Sequence, residues 1–86
     1  MKSLVLGGAV SGRAAALLAR RLDQAVMVFD QDPTVLADLR NDRLPVTTGT
    51  WTPSLLTGVD LVISSPGFSD SSEPIRDTRE AGIPIW

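Results

Sequence analysis

The chain has 86 residues, of which 43% are apolar and 21% charged, and its formal net charge is −2, so it is long enough for one small globular domain. It contains no cysteine, which excludes disulfides and metal sites built from thiolates, and it contains no histidine. It has neither a basic surface nor an apolar run near the roughly 20 residues that cross a bilayer, so no nucleic acid or membrane partner is expected.

The first predicted strand, residues 3–6, leads into the glycine-rich sequence GGAVSG, which ends at Gly12. A dinucleotide-binding G-x-G-x-x-G loop on Gly7 and Gly12 would need a third glycine between them, and that position is Ala9. The helix that follows would still direct the backbone N–H groups of Val10 and Ser11, and its positive dipole end, at a bound phosphate. The alternative interpretation is a tight turn without a ligand.

This helix is predicted over residues 13–22, with an apolar stripe at helical spacing and small residues that allow close packing on the sheet. The stripe comprises Ala14, Leu17, Leu18 and Leu22, and the small residues are Ala15, Ala16 and Ala19. A stripe of this kind is typical of a helix packed on a sheet, and the three alanines would let the helix lie close to the strands.

The second predicted strand, residues 25–29, runs into the acidic sequence FDQDP. Asp30 lies 23 positions after Gly7, close to the separation of about 20 residues at which an acidic residue meets a ribose hydroxyl in dinucleotide folds. Gln31 can pair with a base or a ribose, or remain exposed. Asp32 has a simpler explanation as the cap of the second helix.

Two further strands are predicted at residues 45–47 and 61–64, and the later one ends in ISSPGF. Pro66 fixes φ and Gly67 can adopt a positive φ, so the sequence from Ser65 to Gly67 predicts a rigid turn at the strand end. Turns of this composition are also common in proteins that bind nothing there.

The last helix is expected to be capped by Ser71 or Ser72 and to stop at Gly82, before a fifth strand that begins in IPIW and breaks off at Trp86. An end on so apolar a strand is typical of a piece of a longer polypeptide. Carboxylates and arginines of this region are predicted on a solvated surface: Asp70, Glu73, Asp77, Glu80, Arg76 and Arg79.

The alternation of continuous apolar strands with helices predicts an α/β fold with a Rossmann-like, parallel sheet of five strands. The expected strand order is 3-2-1-4-5, with helices on both faces of the sheet. Residues 1–86 would form one domain. In such a sheet a ligand lies outside the carboxyl ends of the strands, where the three loops meet. The chain has no G-x-x-x-x-G-K-[ST] loop for ATP, and no nucleophile and base have a reason to be adjacent. No catalytic residue and no metal ligand is therefore predicted.

Together, the sequences LVLGGAVSGRAAALLAR, VMVFDQDP, DLVISSPGF and AGIPI resemble the amino-terminal domain of the Mur ligases, cytoplasmic enzymes of peptidoglycan synthesis, over essentially the whole chain. Within that family the chain resembles most the members that add D-glutamate to UDP-N-acetylmuramoyl-L-alanine. The resemblance implies that this domain holds the UDP part of the substrate. By position, the diphosphate would contact Val10, Ser11 and Gly12, the uridine Asp30, Gln31 and Asp32, and the same pocket would include Ser65, Pro66 and Gly67.

The resemblance also implies a division of labour within a three-domain enzyme. The parent enzyme forms an amide bond by phosphorylating the L-alanyl carboxylate with ATP and magnesium, both bound by domains outside this chain, so this domain needs no cofactor of its own and is inactive alone. Many members carry a hydroxyl and a basic residue where this chain has Gln31 and Asp32, so the contacts to uracil differ in detail.

Two other functions are compatible with a glycine loop followed by an acidic residue. One is a regulatory NAD-binding or nucleotide-binding module of a potassium transport system, and the other is the cofactor-binding half of a dehydrogenase. Ala9 disfavours both, since such modules usually keep the middle glycine of the loop.

Overall fold

The computed structural model describes residues 1–7, 10–22, 25–64 and 68–86. Its strands are β1 (Lys2–Leu6), β2 (Ala25–Asp30), β3 (Val46–Thr48) and β4 (Leu61–Ser64), and its helices are α1 (Val10–Arg21), α2 (Leu36–Asn41) and α3 (Glu73–Glu80). Short 3-10 turns occupy Pro33–Val35 and Pro53–Leu56. All four strands lie within one residue of their predicted bounds. No helix within these ranges has the length and apolar character needed to cross a bilayer.

The four strands form one parallel sheet in the order β3-β2-β1-β4, as predicted. The predicted fifth strand is not confirmed. In its place, an isolated parallel bridge joins Ile85 to Val62 on the free edge of β4. The Val62 N–H donates to the carbonyl oxygen of Pro84, and the Trp86 N–H donates to the carbonyl oxygen of Val62. Pro84 has no N–H to donate, so the pairing does not extend before it.

The sheet separates two apolar clusters, because successive side chains of a strand point to opposite faces. On one face, Val5 and Val28 pack with Ala16 of α1 and Leu39 of α2. The cluster on the other face includes Ile75 of α3, and its buried members are Leu4, Leu6, Phe29, Trp51, Leu56, Val59, Val62 and Ile75. Helices therefore cover both faces, as predicted.

The face of α1 that contacts the sheet consists of small residues, and the prediction that Ala16 and Ala19 lie close to the sheet is confirmed. Gly12, Ala16 and Ala19 are buried, at the i, i+4, i+7 spacing of one helix face. Leu18 and Leu22 of the predicted stripe are 59% and 62% exposed. Leu17 packs against the apolar cluster under the helix and Ala14 is exposed, so the predicted stripe is buried only in part.

Trp51 joins the segment after β3 to α3. Its ring packs edge-to-face on Phe29, with the ring centroids 5.3 Å apart, and its Nε1–H donates a hydrogen bond of 2.8 Å to Asp77 Oδ2. The prediction that Asp77 belongs to a solvated helix face is therefore wrong, because this half-buried carboxylate satisfies the only polar atom of the indole. Arg79 does lie on the surface, where it pairs with Asp70.

Candidate functional site

The turn from β1 into α1 depends on two glycines. Gly7 has φ of 98°, which favours glycine, and its N–H donates a 2.7 Å hydrogen bond to the carbonyl oxygen of Phe29 at the end of β2. Gly12 faces this turn, and a Cβ atom built on it would lie 1.6 Å from the carbonyl oxygen of Gly7. The first turn of α1 is thus pressed against the end of β1. Gly8 and Ala9 lie outside the described residues.

The residues that the sequence predicts to bind an anion through their backbone N–H groups lie at the amino terminus of α1. The helix begins at Val10, so Val10, Ser11 and Gly12 belong to its first turn. The N–H groups of a first helical turn have no partner within the helix, and the dipole adds positive potential there. The position fits a phosphate at the carboxyl edge of the sheet. The expected contribution of the Ser11 hydroxyl lies outside the described side chains.

The loop after β2 is held by two consecutive aspartate turns. Asp30 Oδ1 accepts the backbone N–H of Asp32 at 2.8 Å, and Asp32 Oδ1 accepts the backbone N–H of Thr34 at 2.9 Å. The hydrogen bonds from Thr34, that of its backbone above all, hold the pKa of Asp32 below its ordinary value. The predicted capping role of Asp32 is confirmed, at the 3-10 turn that precedes α2. Gln31, between the two turns, is exposed.

The third predicted loop is described only at its ends. Ser65, Pro66 and Gly67 lie outside the described residues. Ser64 pairs in register with Leu6, and its N–H donates to the carbonyl oxygen of Trp86 at 2.9 Å. Phe68 packs edge-to-face on Phe29, with centroids 6.4 Å apart, so the chain returns from this loop beside the end of β2.

The strand order brings the ends of these segments together. β2, β1 and β4 are neighbours and parallel, so Asp30, Gly7 and Ser64 follow one another along a single edge of the sheet. The edge offers backbone N–H groups, a carboxylate and a hydroxyl, which are groups that bind and orient a polar ligand. In the described part of the chain, no set of three or more acidic side chains is placed to hold a metal ion.

An ion pair that the sequence did not reveal braces α1. The Arg13 guanidinium pairs with Asp42, just after α2, through Nε and Nη2, and Arg20 donates to the carbonyl oxygen of Asp42. The Arg13 hydrogen bond holds the pKa of the Asp42 carboxyl below its ordinary value, although burial opposes this shift. No sequence signal identifies the pair, since 29 positions separate the two residues. It ties the helix that begins at the candidate phosphate site to the neighbouring α2.

Comparisons with known proteins agree with this geometry. Residues 1–86 match the family model described as Mur ligase MurD-like, N-terminal domain. The UDP-N-acetylmuramoylalanine–D-glutamate ligase of Mycobacterium tuberculosis strain H37Rv is 36% identical over 83 residues, which cover 96% of this chain and 17% of that relative. The chain thus spans about a sixth of the length of the relative, as it also does for the ligases of Mycobacterium bovis.

Solved structures give the same picture. UDP-N-acetylmuramate-alanine ligase MurC of Thermotoga maritima superposes with a TM-score of 0.81 at 25% identity, covering 99% of this chain and 20% of that protein. Shikimate 5-dehydrogenase of Thermus thermophilus, solved with NADP(H) and shikimate, superposes with a TM-score of 0.68 at 18% identity, covering 98% of this chain and 41% of that protein. The second likeness is one of fold alone.

Proposed function

Because the chain belongs to the MurD-like N-terminal domains of the Mur ligases, we propose that it holds the UDP part of UDP-N-acetylmuramoyl-L-alanine for a ligase that attaches D-glutamate to it in the cytoplasm. The relative named for this reaction supports the choice of substrate. Residues 1–86 would be the first domain of that enzyme, and ATP, magnesium and the reacting groups would belong to the rest of the polypeptide.

One observation carries the proposal: the first turn of α1 and the Asp30 carboxylate lie at the ends of adjacent strands on one edge of the sheet. The diphosphate would accept hydrogen bonds from the N–H groups of Val10, Ser11 and Gly12. The Asp30 carboxylate would accept a hydrogen bond from a ribose hydroxyl, and Gln31 and Asp32 would border the uracil. Ser65, Pro66 and Gly67, which lie outside the described residues, are assigned to the same pocket by the resemblance alone.

The contribution of this domain to the reaction is positional. A substrate anchored through UDP presents its L-alanyl carboxylate to the other domains without a search in solution, and such positioning lowers the barrier of a bimolecular step substantially. Asp32 Oδ1 already accepts the backbone N–H of Thr34, so the Asp32 carboxylate can accept fewer hydrogen bonds from a ligand. Gln31, exposed between two fixed turns, has an amide that can donate to a uracil carbonyl group and accept from its N–H.

The test is a titration of the 86-residue chain followed by NMR. UDP-N-acetylmuramoyl-L-alanine and UDP should shift the amide signals of Val10, Ser11 and Asp30, whereas NAD should leave them unchanged. Saturable NAD binding with no response to UDP would instead support a dinucleotide-binding module, for which neither the family model nor the relatives described above give support.

A matched pair of variants isolates the carboxylate. Asp30→Asn retains an oxygen that can accept the Asp32 N–H, so the loop should keep its turn while the charge is lost. We expect UDP affinity to fall about 10-fold, the scale of a hydrogen bond to a charged group. Glu80→Gln, which removes the charge of an exposed carboxylate at the last residue of α3, should bind UDP like the wild type.

The isolated chain should have no ligase activity. When it is mixed with ATP, magnesium, D-glutamate and the UDP substrate, neither ADP nor product is expected above a no-protein blank. Turnover by these 86 residues alone would overturn the assignment of the chemistry to other domains.

A further inference from the structure

The end of β3 lies beside the end of β2 and presents a hydroxyl group there. Thr48, the last residue of β3, pairs in register with Asp30, the last residue of β2. Val28 and Val46 pair two positions earlier and belong to the apolar cluster under α1 and α2. Because side chains alternate along a strand, Thr48 and Asp30 point to this same face, on the side of the sheet where α1 begins.

The Thr48 hydroxyl is available to a ligand. The side chain is half-buried, and within the described part of the chain its Oγ1 makes no hydrogen bond. Its neighbour differs: Thr47 points to the other face and its hydroxyl contacts the Met27 sulfur at 3.7 Å. Directly after Thr48 the chain turns at Gly49, where φ is 97° and a built Cβ would meet no atom within 4 Å. The backbone therefore turns away from the strand direction directly after Thr48, and the space beside Gly49 is open.

The three strands present their polar groups in the order of the parts of a nucleotide. Neighbouring strands are about 4.8 Å apart, and β1, β2 and β3 are consecutive in the sheet. Helix N–H groups at the end of β1 suit a diphosphate, and the Asp30 carboxylate at the end of β2 suits a ribose. The next position along this line is the end of β3.

We propose that Thr48 is a nucleobase-binding residue: its hydroxyl forms a hydrogen bond with the edge of the pyrimidine, beyond the ribose that Asp30 holds. This assignment rests on the proposed function, since it takes the ligand to be UDP. A threonine hydroxyl can donate and accept, so it can pair with a uracil carbonyl group or with its N–H. In this arrangement the Thr48 hydroxyl adds affinity for UDP. The Gln31 amide recognises uracil by its pattern of hydrogen-bond donors and acceptors.

Three variants of the 86-residue chain test the proposal, with UDP as the ligand. Thr48→Val removes only the hydroxyl and suits a strand, so the fold should be retained. We expect it to bind UDP about 3- to 10-fold more weakly than the wild type, the range for one neutral hydrogen bond. Thr48→Ser keeps the hydroxyl and should restore binding to within roughly twofold. Thr47→Val, on the opposite face, is the matched control and should not weaken binding.

A positional measurement accompanies the affinities. In the UDP complex of the wild type, the Thr48 methyl protons should give nuclear Overhauser effects to the uracil H5 or H6 protons. Effects to ribose protons alone, or wild-type affinity in Thr48→Val, would overturn the assignment while leaving the UDP site intact. If the wild type shows no saturable UDP binding, the proposed function fails and this assignment fails with it.

Discussion

Replacing Gly12 with alanine tests whether the contact between α1 and the glycine turn determines the fold at the site. The new Cβ atom would lie 1.6 Å from the carbonyl oxygen of Gly7 and 2.7 Å from its carbonyl carbon. Reaching 3.0 Å from the oxygen requires a displacement of roughly 1.4 Å. The obstructing atoms are backbone, and the turn is fixed by the hydrogen bond from Gly7 to Phe29, so α1 itself must move.

The expected cost follows from two opposing effects. Overpacking of this kind destabilises by about 1–3 kcal/mol, and a backbone obstruction belongs at the upper end. Alanine gains up to about 1 kcal/mol over glycine from helix propensity. We therefore expect Gly12→Ala to lower the free energy of unfolding by about 2 kcal/mol, out of roughly 4–13 kcal/mol for a domain of this length. The melting temperature should fall by about 10 °C.

Urea unfolding followed by the fluorescence of Trp51, which is 6% exposed, measures this change. Ala14→Gly is the control, since Ala14 is exposed on the same helix and the reverse substitution should cost about 1 kcal/mol through propensity alone. Both substitutions should destabilise, although they change the side chain in opposite directions. A Gly12→Ala chain as stable as the wild type, or more stable, would refute the packing argument.

Three further predictions concern other contacts. The hydrogen bond from Arg13 lowers the pKa of Asp42 in the folded chain, so the ionised carboxylate stabilises the fold fully above about pH 4 and less as the pH falls further. In urea titrations, Asp42→Asn should therefore lose less free energy of unfolding between pH 6 and pH 3 than the wild type does. Asp77→Ala should lower the free energy of unfolding by about 1–3 kcal/mol through the lost bond to Trp51, and Asp77→Asn by less than half of that; equal losses would contradict a role for the acceptor oxygen. Leu18→Lys should change the free energy of unfolding by less than about 0.5 kcal/mol, whereas Ala16→Leu should lower it by about 1–3 kcal/mol. The reverse ranking would mean that Leu18, and not Ala16, faces the sheet.

The strands could be predicted because a parallel sheet covered on both faces needs short, continuous apolar runs, and 3–6, 25–29 and 61–64 have no other explanation. The order of the sheet followed from the right-handed crossover rule. The buried face of α1 was predicted only in part: Ala16 and Ala19 lie against the sheet as expected, whereas Leu18 and Leu22 of the apolar stripe are exposed. Only the distance between helix and sheet, set by the Gly7 turn, decides which of these side chains are buried.

The candidate site was predictable where a residue acts through the backbone and less so where it acts through a side chain. Asp32 as a cap followed from its place before a proline, and the start of α1 near Gly12 followed from the glycine spacing. The pairs Trp51–Asp77 and Arg13–Asp42 join residues 26 and 29 positions apart, and no local pattern marks either one. Thr48 could not be singled out because its proposed role depends on the strand register with Asp30, which only the folded sheet reveals.

The same geometry bears on which nucleotide the edge of the sheet accepts. The contact between Gly12 and Gly7 brings a helix terminus to the end of β1, and a phosphate would be favoured there in a Mur ligase domain and in a dehydrogenase alike. In the proposed complex the amino terminus of α1 would bind a phosphate of either nucleotide, so within the glycine loop only Ala9 disfavours NAD. Further discrimination would come from the ends of β2 and β3, where Asp30, Gln31 and Thr48 face the nucleoside in the proposed complex. Substitutions in this group should change the preference among nucleotides, whereas a substitution at Gly12 should weaken the binding of every phosphate ligand together.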